Sequence, residues 1–162
     1  MNEAQAGKTV LREAQQTDLP IFFEQQLNPD AIYMAAFTTK DPTNRPAFME
    51  KWARILDNPT CVVRTIEVDG EVAGYVSKYE EDGKPEVTYW LGHTFWGKNI
   101  ATEALQAFLA ELDIRPIYAR AASDNYASIR VLLKCGFVIT GAEVSFANAR
   151  NEEIEEILLS LE

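Results

Sequence analysis

The chain has 162 residues, 47% of them hydrophobic and 25% charged. That length and balance fit one domain with a sizeable core, so 1–162 is read as a single unit. The formal charge of −10 argues against nucleic acid or an anionic membrane as partner and mildly favours a cationic one; it equally serves plain solubility.

Met1–Lys8 is polar and lacks the apolar run of a signal peptide. No later stretch reaches the length of a membrane span, so the expected location is the cytoplasm. Thr9–Glu13 predicts a first strand. Thr17–Gln26 predicts a helix, capped by Thr17 or Asp18, with Pro20 in its first turn. Asn28–Thr43 contains Pro29 and Pro42 and reads as irregular or briefly helical. Across Asn44–Leu56, the residues Phe48, Met49, Trp52, Ile55 and Leu56 recur at helical spacing, as a core-facing stripe would.

The period then changes to two. Cys61–Val68 and Glu71–Tyr79 are strand-like runs joined by Asp69-Gly70, a strong hairpin signal. Asp82-Gly83 marks the next turn, and Val87–Gly92 is the third strand of the meander, preceded by Pro85 and Glu86. After Gly97 the helical pattern returns, with Ile100, Ala101, Ala104, Leu105, Phe108 and Leu112 on one face. Pro116–Ala122 reads as a short strand. Asn125–Cys135 reads as a helix with Ile129, Leu132 and Leu133 inward, stopped at Gly136. Phe137–Ala147 and Glu153–Leu161 close the chain as a hairpin. The two cysteines, Cys61 and Cys135, sit in apolar runs and have no zinc-type spacing, so no metal is expected. Strands and helices in this order predict a layered α/β (α+β) domain, a mixed sheet with helices packed on it.

One segment stands out for chemistry: Tyr89-Trp90-Leu91-Gly92-His93-Thr94-Phe95-Trp96-Gly97-Lys98-Asn99-Ile100-Ala101-Thr102-Glu103-Ala104-Leu105. A strand ends, a short loop follows and a helix starts. The first N–H groups of a helix have no intrahelical partner, and with the helix dipole they form an anion site. Gly97 permits close backbone approach, Ala101 keeps the first turn open, and Lys98 adds a cation. Read from the residues alone, it is equally a plain connection with a solvated Lys98.

Here the chain resembles the GNAT superfamily of N-acetyltransferases. Tyr89–Gly92 and Trp96–Leu105 are similar to the pyrophosphate-loop motif of the branch that acetylates ribosomal-protein N-termini. Asn99 replaces a glycine of that motif, and Asn tolerates positive φ better than most residues. Asn125 and Ser128 through Lys134, Gly136 and Phe137 resemble a second family motif, Asn-x-x-Ser followed by Lys-x-Gly-Phe. The resemblance spans roughly Val62–Leu161. It implies the GNAT fold, with a mostly antiparallel central sheet flanked by helices, and acetyl-coenzyme A (acetyl-CoA) as co-substrate. It also implies that Trp90, Leu91, Trp96, Gly97, Lys98, Asn99, Ile100, Ala101, Thr102, Asn125 and Ser128 bind that molecule. The expected partner is an amine acceptor, either a protein N-terminus or a small molecule; a homodimer is left open.

The implied reaction is attack of a neutral amine on a thioester. Deprotonating a lysine-like amine at pH 7 costs about 4.6 kcal/mol, and an N-terminal amine only about 1–1.4 kcal/mol. Strand N–H groups near Trp90–Gly92 would polarise the carbonyl. The family's leaving-group tyrosine falls on Leu132 here, so by the resemblance that role is absent or passes to Ser128. Glu86 is the candidate base, its alternative being a surface charge at a strand end. His93, the single histidine, reads as structural or exposed; Tyr33, Tyr75, Tyr79 and Tyr126 are candidates for the acceptor cleft or for the core. Two other readings stay open: an acyl-CoA-binding GNAT module without turnover, and an α/β domain that binds no nucleotide.

Overall fold

A computed structural model describes residues 8–162. The expectation for the N-terminal segment, Lys8 apart, therefore falls outside the described residues. β1 (Thr9–Glu13) leads through a 3-10 turn at Gln16–Asp18 into α1 (Leu19–Gln25), so the expected helix begins tighter than an α-helix. α2 (Pro29–Ala35) is capped by Asn28, whose Oδ1 accepts from Ala31 N–H at 3.0 Å. α3 (Arg45–Asp57) is capped in the same way by Asn44.

The meander follows as β2 (Val62–Val68), β3 (Glu71–Glu81) and β4 (Lys84–Leu91). Asp69 and Gly70 both have positive φ, 52° and 82°, as do Asp82 and Gly83, at 52° and 76°. Two consecutive left-handed residues match the twist of a tight hairpin, which is why the Asp-Gly pairs predict both turns. β4 begins at Lys84, earlier than expected, and Pro85 lies inside it. The β3–β4 register runs unbroken from Glu81↔Lys84 to Gly74↔Leu91, and Gly92 N–H donates to Ala73 O at 2.8 Å. Counting back from that bond, alternate positions bond to β3, and Pro85 falls on the other side, where its missing N–H breaks no bond.

The chain continues through α4 (Ile100–Glu111), β5 (Ile117–Ala122), α5 (Tyr126–Lys134), β6 (Val138–Ala147) and β7 (Glu152–Leu161). The seven strands form one sheet in the order β1-β2-β3-β4-β5-β7-β6. Every pairing is antiparallel except β4 with β5. α4 and α5 cover one face, burying Leu105, Phe108 and Leu132 against Val76, Val87, Ile117 and Leu159. α1 and α3 cover the other, where Phe22, Trp52 and Tyr75 meet with ring centroids 4.7–5.3 Å apart. This is the expected layered α/β architecture. One inward assignment is corrected: Leu133 is exposed, whereas Leu132 is buried and Val131 and Cys135 pack against the core. Those positions set the inward face of a nine-residue helix, and Leu133 lies outside it.

Candidate active site

β4 and β5 share a single register pair, Glu86↔Tyr118. Beyond it the two strands are no longer paired, and Val87–Trp90 and Arg120–Ala122 line one cleft, so the sheet opens between them. By the alternation fixed at Gly92–Ala73, the backbone groups of Tyr89 and Leu91 turn away from β3 toward this opening. The N–H of Gly92 is spent on Ala73, which removes it from the expected set of carbonyl-polarising donors. α4 and α5 both begin at the opening, at the carboxyl ends of the two parallel strands, the position where open sheets bind ligands.

The loop from β4 to α4 is shaped by its own residues. His93–Phe95 makes a 3-10 turn, and the Trp96 indole N–H donates to Leu91 O at 3.1 Å, folding the loop back on the strand end. Gly97 has φ 76°, with open space where a Cβ would stand. Asn99 is left-handed, φ 64° and ψ 13°, and precedes α4 without a side-chain cap bond. The first helical bond runs from Glu103 N–H to Asn99 O, so the N–H groups of Ile100, Ala101 and Thr102 come before any intrahelical partner. The side chains of Ile100 and Thr102 are buried; these two residues offer backbone only. An uncapped helix start behind an open glycine fits a pyrophosphate.

Across the opening, Asn125 caps α5 by accepting from Ser128 N–H at 3.2 Å, and its Nδ2 donates to Met34 O of α2 at 3.2 Å. Both ends of this amide are committed to structure. Ser128 Oγ accepts the Tyr89 phenolic proton at 3.2 Å. Burial pushes the Tyr89 phenol up from its ordinary value. Ser128, Asn125, Tyr89 and Trp90 line a cleft of about 760 Å³, walled by α2, α3 and the segment between them.

Glu86 is buried behind this cleft. Its Oε1 accepts from the Tyr79 hydroxyl at 3.1 Å, and its Oε2 lies 3.2 Å from Arg120 Nε. The alternative of an exposed strand-end charge is thereby corrected. Arg120 also reaches Glu143 at 2.5 Å and Glu156 at 3.5 Å. Tyr79, Arg120 and Glu156 face the cleft, while Glu86 and Glu143 do not line it. Burial raises the Glu156 carboxyl, and Arg120 only partly offsets this.

The other named residues separate clearly. Tyr75 lines the cleft from within the aromatic core. Tyr126 is exposed, Tyr33 stacks under Arg150, and His93 is half-exposed against Trp96. Leu132 is a core residue. Sequence reasoning missed Tyr89, Arg120 and Glu156 as cleft residues. Arg120 carried a signal, being a charge inside an apolar strand; Tyr89 opened the quoted motif without being given a role of its own. Among the described residues, no group of three His, Cys, Asp or Glu is arranged to hold a metal.

Comparison with known proteins adds three findings. Residues 8–138 match the family described as acetyltransferase (GNAT) domain. The chain is 31% identical over 104 residues to the uncharacterized N-acetyltransferase p20 of Bacillus licheniformis, covering 62% of this chain and 58% of that protein. It thus spans less than two thirds of that curated relative. Among solved structures, it is similar to Mycobacterium smegmatis RimJ in complex with CoA-disulfide, with TM-score 0.80, 20% identity and coverage of 96% and 82% of the two chains. It is also similar to the microcin C7 self-immunity acetyltransferase MccE in complex with acetyl-CoA and AMP, with TM-score 0.77, 20% identity and coverage of 95% and 92%.

Proposed function

The chain belongs to the GNAT acetyltransferase domain family, and from that premise we propose that it transfers the acetyl group of acetyl-CoA to a primary amine. The observation that carries the reading is the juxtaposition at the β4–β5 opening. On one side stands the uncapped start of α4 behind left-handed Asn99; on the other stands Ser128 of α5.

In this reading the N–H groups of Ile100–Thr102, with Lys98 beside them, hold the pyrophosphate. The backbone groups of Tyr89 on the open edge of β4 align the pantetheine arm, and the Leu91 N–H polarises the thioester carbonyl, the Leu91 carbonyl being held by Trp96. The amine enters from the cleft, where Glu156 attracts its charge. Glu86 takes the amine proton through Tyr79, whose hydroxyl faces the cleft and already donates to Glu86. The amine nitrogen bonds to the acetyl carbon as the C–S bond breaks, and Ser128 donates a hydrogen bond to the departing sulfur. Holding amine and thioester in one cleft supplies most of the acceleration.

The acceptor we favour is a protein N-terminus. Its amine is the cheaper to deprotonate, and here the base acts at one remove. Calorimetry with acetyl-CoA and thiol release over a panel of free-N-terminus peptides and small amines test the reading. Binding with turnover on a peptide is expected. Binding without thiol release from any amine would instead indicate an acyl-CoA-binding module, a reading that the engaged state of Glu86 and the core position of Leu132 would then explain.

A further inference from the structure

The Tyr89 side chain is partly buried and packs against the core cluster under α4 and α5 that holds Val87, Leu91 and Leu132. A partly buried hydroxyl there gains from a partner, and its protein partner is Ser128 Oγ at 3.2 Å. Burial raises the phenol above its ordinary value, so it remains a protonated donor throughout the neutral range.

A serine hydroxyl has one proton and two lone pairs. Tyr89 occupies a lone pair. Among the described residues, no protein acceptor takes the proton of Ser128, whereas its N–H is fixed on Asn125. The hydroxyl is therefore filled on the Tyr89 side and free on the cleft side.

We propose that Tyr89 is the positioning residue for Ser128: its donated hydrogen bond turns the serine proton into the cleft, toward the sulfur that leaves. The proposal rests on the reading of Ser128 as donor to that sulfur. Complete proton transfer from the tyrosine is not part of it. A thiolate of pKa about 8.5 is too weak a base to strip a phenol whose value lies above about 10. The contribution is orientation of one hydrogen bond, which grows stronger as charge builds on sulfur. That makes it a contribution to turnover and leaves ground-state binding of acetyl-CoA to the α4 loop.

The test is a double-mutant cycle in thiol release, with acetyl-CoA and an unblocked seryl peptide, and with water alone as acceptor in a second arm. Both arms expel the same thiolate. Variants Y89F, S128A and the double variant are compared after a melting curve for each. Y89F is expected to lower kcat about three- to tenfold with KM for acetyl-CoA unchanged. S128A is expected to lower it further, and the double variant to match S128A, because Tyr89 acts only through Ser128. Wild-type kcat in Y89F overturns the proposal, as does a loss in Y89F that persists at full size in the S128A background. Wild-type kcat in S128A is the separate signature that the reading of Ser128 has failed, and it overturns this proposal with it.

Discussion

Arg120 Nε stands 3.2 Å from Glu86 Oε2, and the same guanidinium reaches Glu143 and Glu156 on the last hairpin. Glu86 is thereby locked in place, and Tyr79 is its contact with the cleft. If the amine proton leaves by this route, Y79F and E86Q both cut kcat, by roughly 10²-fold if the pair supplies ordinary general-base assistance. KM for acetyl-CoA stays constant, and the double variant is no slower than the worse single. Steady-state kinetics in the peptide assay decide it; full activity in Y79F would remove the relay.

The pyrophosphate loop depends on backbone shape at Asn99. An asparagine at φ 64° carries less strain than a branched residue would. N99G is expected to keep or improve acetyl-CoA affinity, within a few-fold. N99V and G97V should weaken it at least about tenfold, since both force a β-branched side chain into positive φ. At Gly97 the penalty is conformational, because the space around its missing Cβ is open. Calorimetry reads the affinities, and a folded N99V with wild-type affinity would displace the cofactor from this loop.

Gly74 illustrates a different constraint. A Cβ there would stand 1.9 Å from Trp90 O, so no other residue fits while β3 and β4 keep their register. G74A is expected to cost at least about 3 kcal/mol or to prevent folding, by overpacking against backbone. Circular dichroism and thermal melting check this; a melting temperature within a few degrees of wild type would mean that the two strands slide apart easily.

Much of this was legible in the sequence where the cause is local. The Asp69-Gly70 and Asp82-Gly83 turns and the left-handed Asn99 each depend on residues within four positions. The Tyr89–Ser128 bond joins residues 39 apart, and Arg120–Glu86 joins residues 34 apart. Which strands become neighbours decides both, and no period or spacing encodes that. Leu133 failed for a related reason: a short helix can turn either of two adjacent leucines inward, and only packing against the sheet selects Leu132.

Asp18 is expected to make the fold sensitive to acid. The carboxylate is buried, yet its value is lowered: burial alone would raise it, but bonds from Arg12, Gln15 N–H and Thr65 more than compensate. A folded-state value below the unfolded one means stability that is present above the unfolded value, about 3.9, and lost as pH falls through the folded one. D18N should cost about 1.5–3 kcal/mol at pH 7 and flatten the acid limb of the melting temperature against pH below about pH 4. An unchanged acid limb would assign the sensitivity to other carboxylates.

Of the three carboxylates around Arg120, Glu156 lies farthest, at 3.5 Å against 3.2 Å for Glu86 and 2.5 Å for Glu143, and of the three it is the one that lines the cleft. Burial raises its value, so the folded state holds its proton more readily than the unfolded chain does. Stability from this group is present below the unfolded value and lost as pH rises through the folded one. At pH 7 the charged Glu156 is therefore a burden on the fold, which E156Q removes without changing shape, while Arg120 keeps Glu86 and Glu143. The variant should melt slightly higher than wild type at pH 7 and no higher near pH 4. The same charge is what attracts a cationic amine, so E156Q should raise acceptor KM several-fold and leave KM for acetyl-CoA alone. Raising salt should weaken the acceptor interaction in wild type more than in E156Q, because the attraction is screened. Equal salt dependence in the two proteins, with equal acceptor KM, would show that the acceptor does not meet Glu156 as a cation.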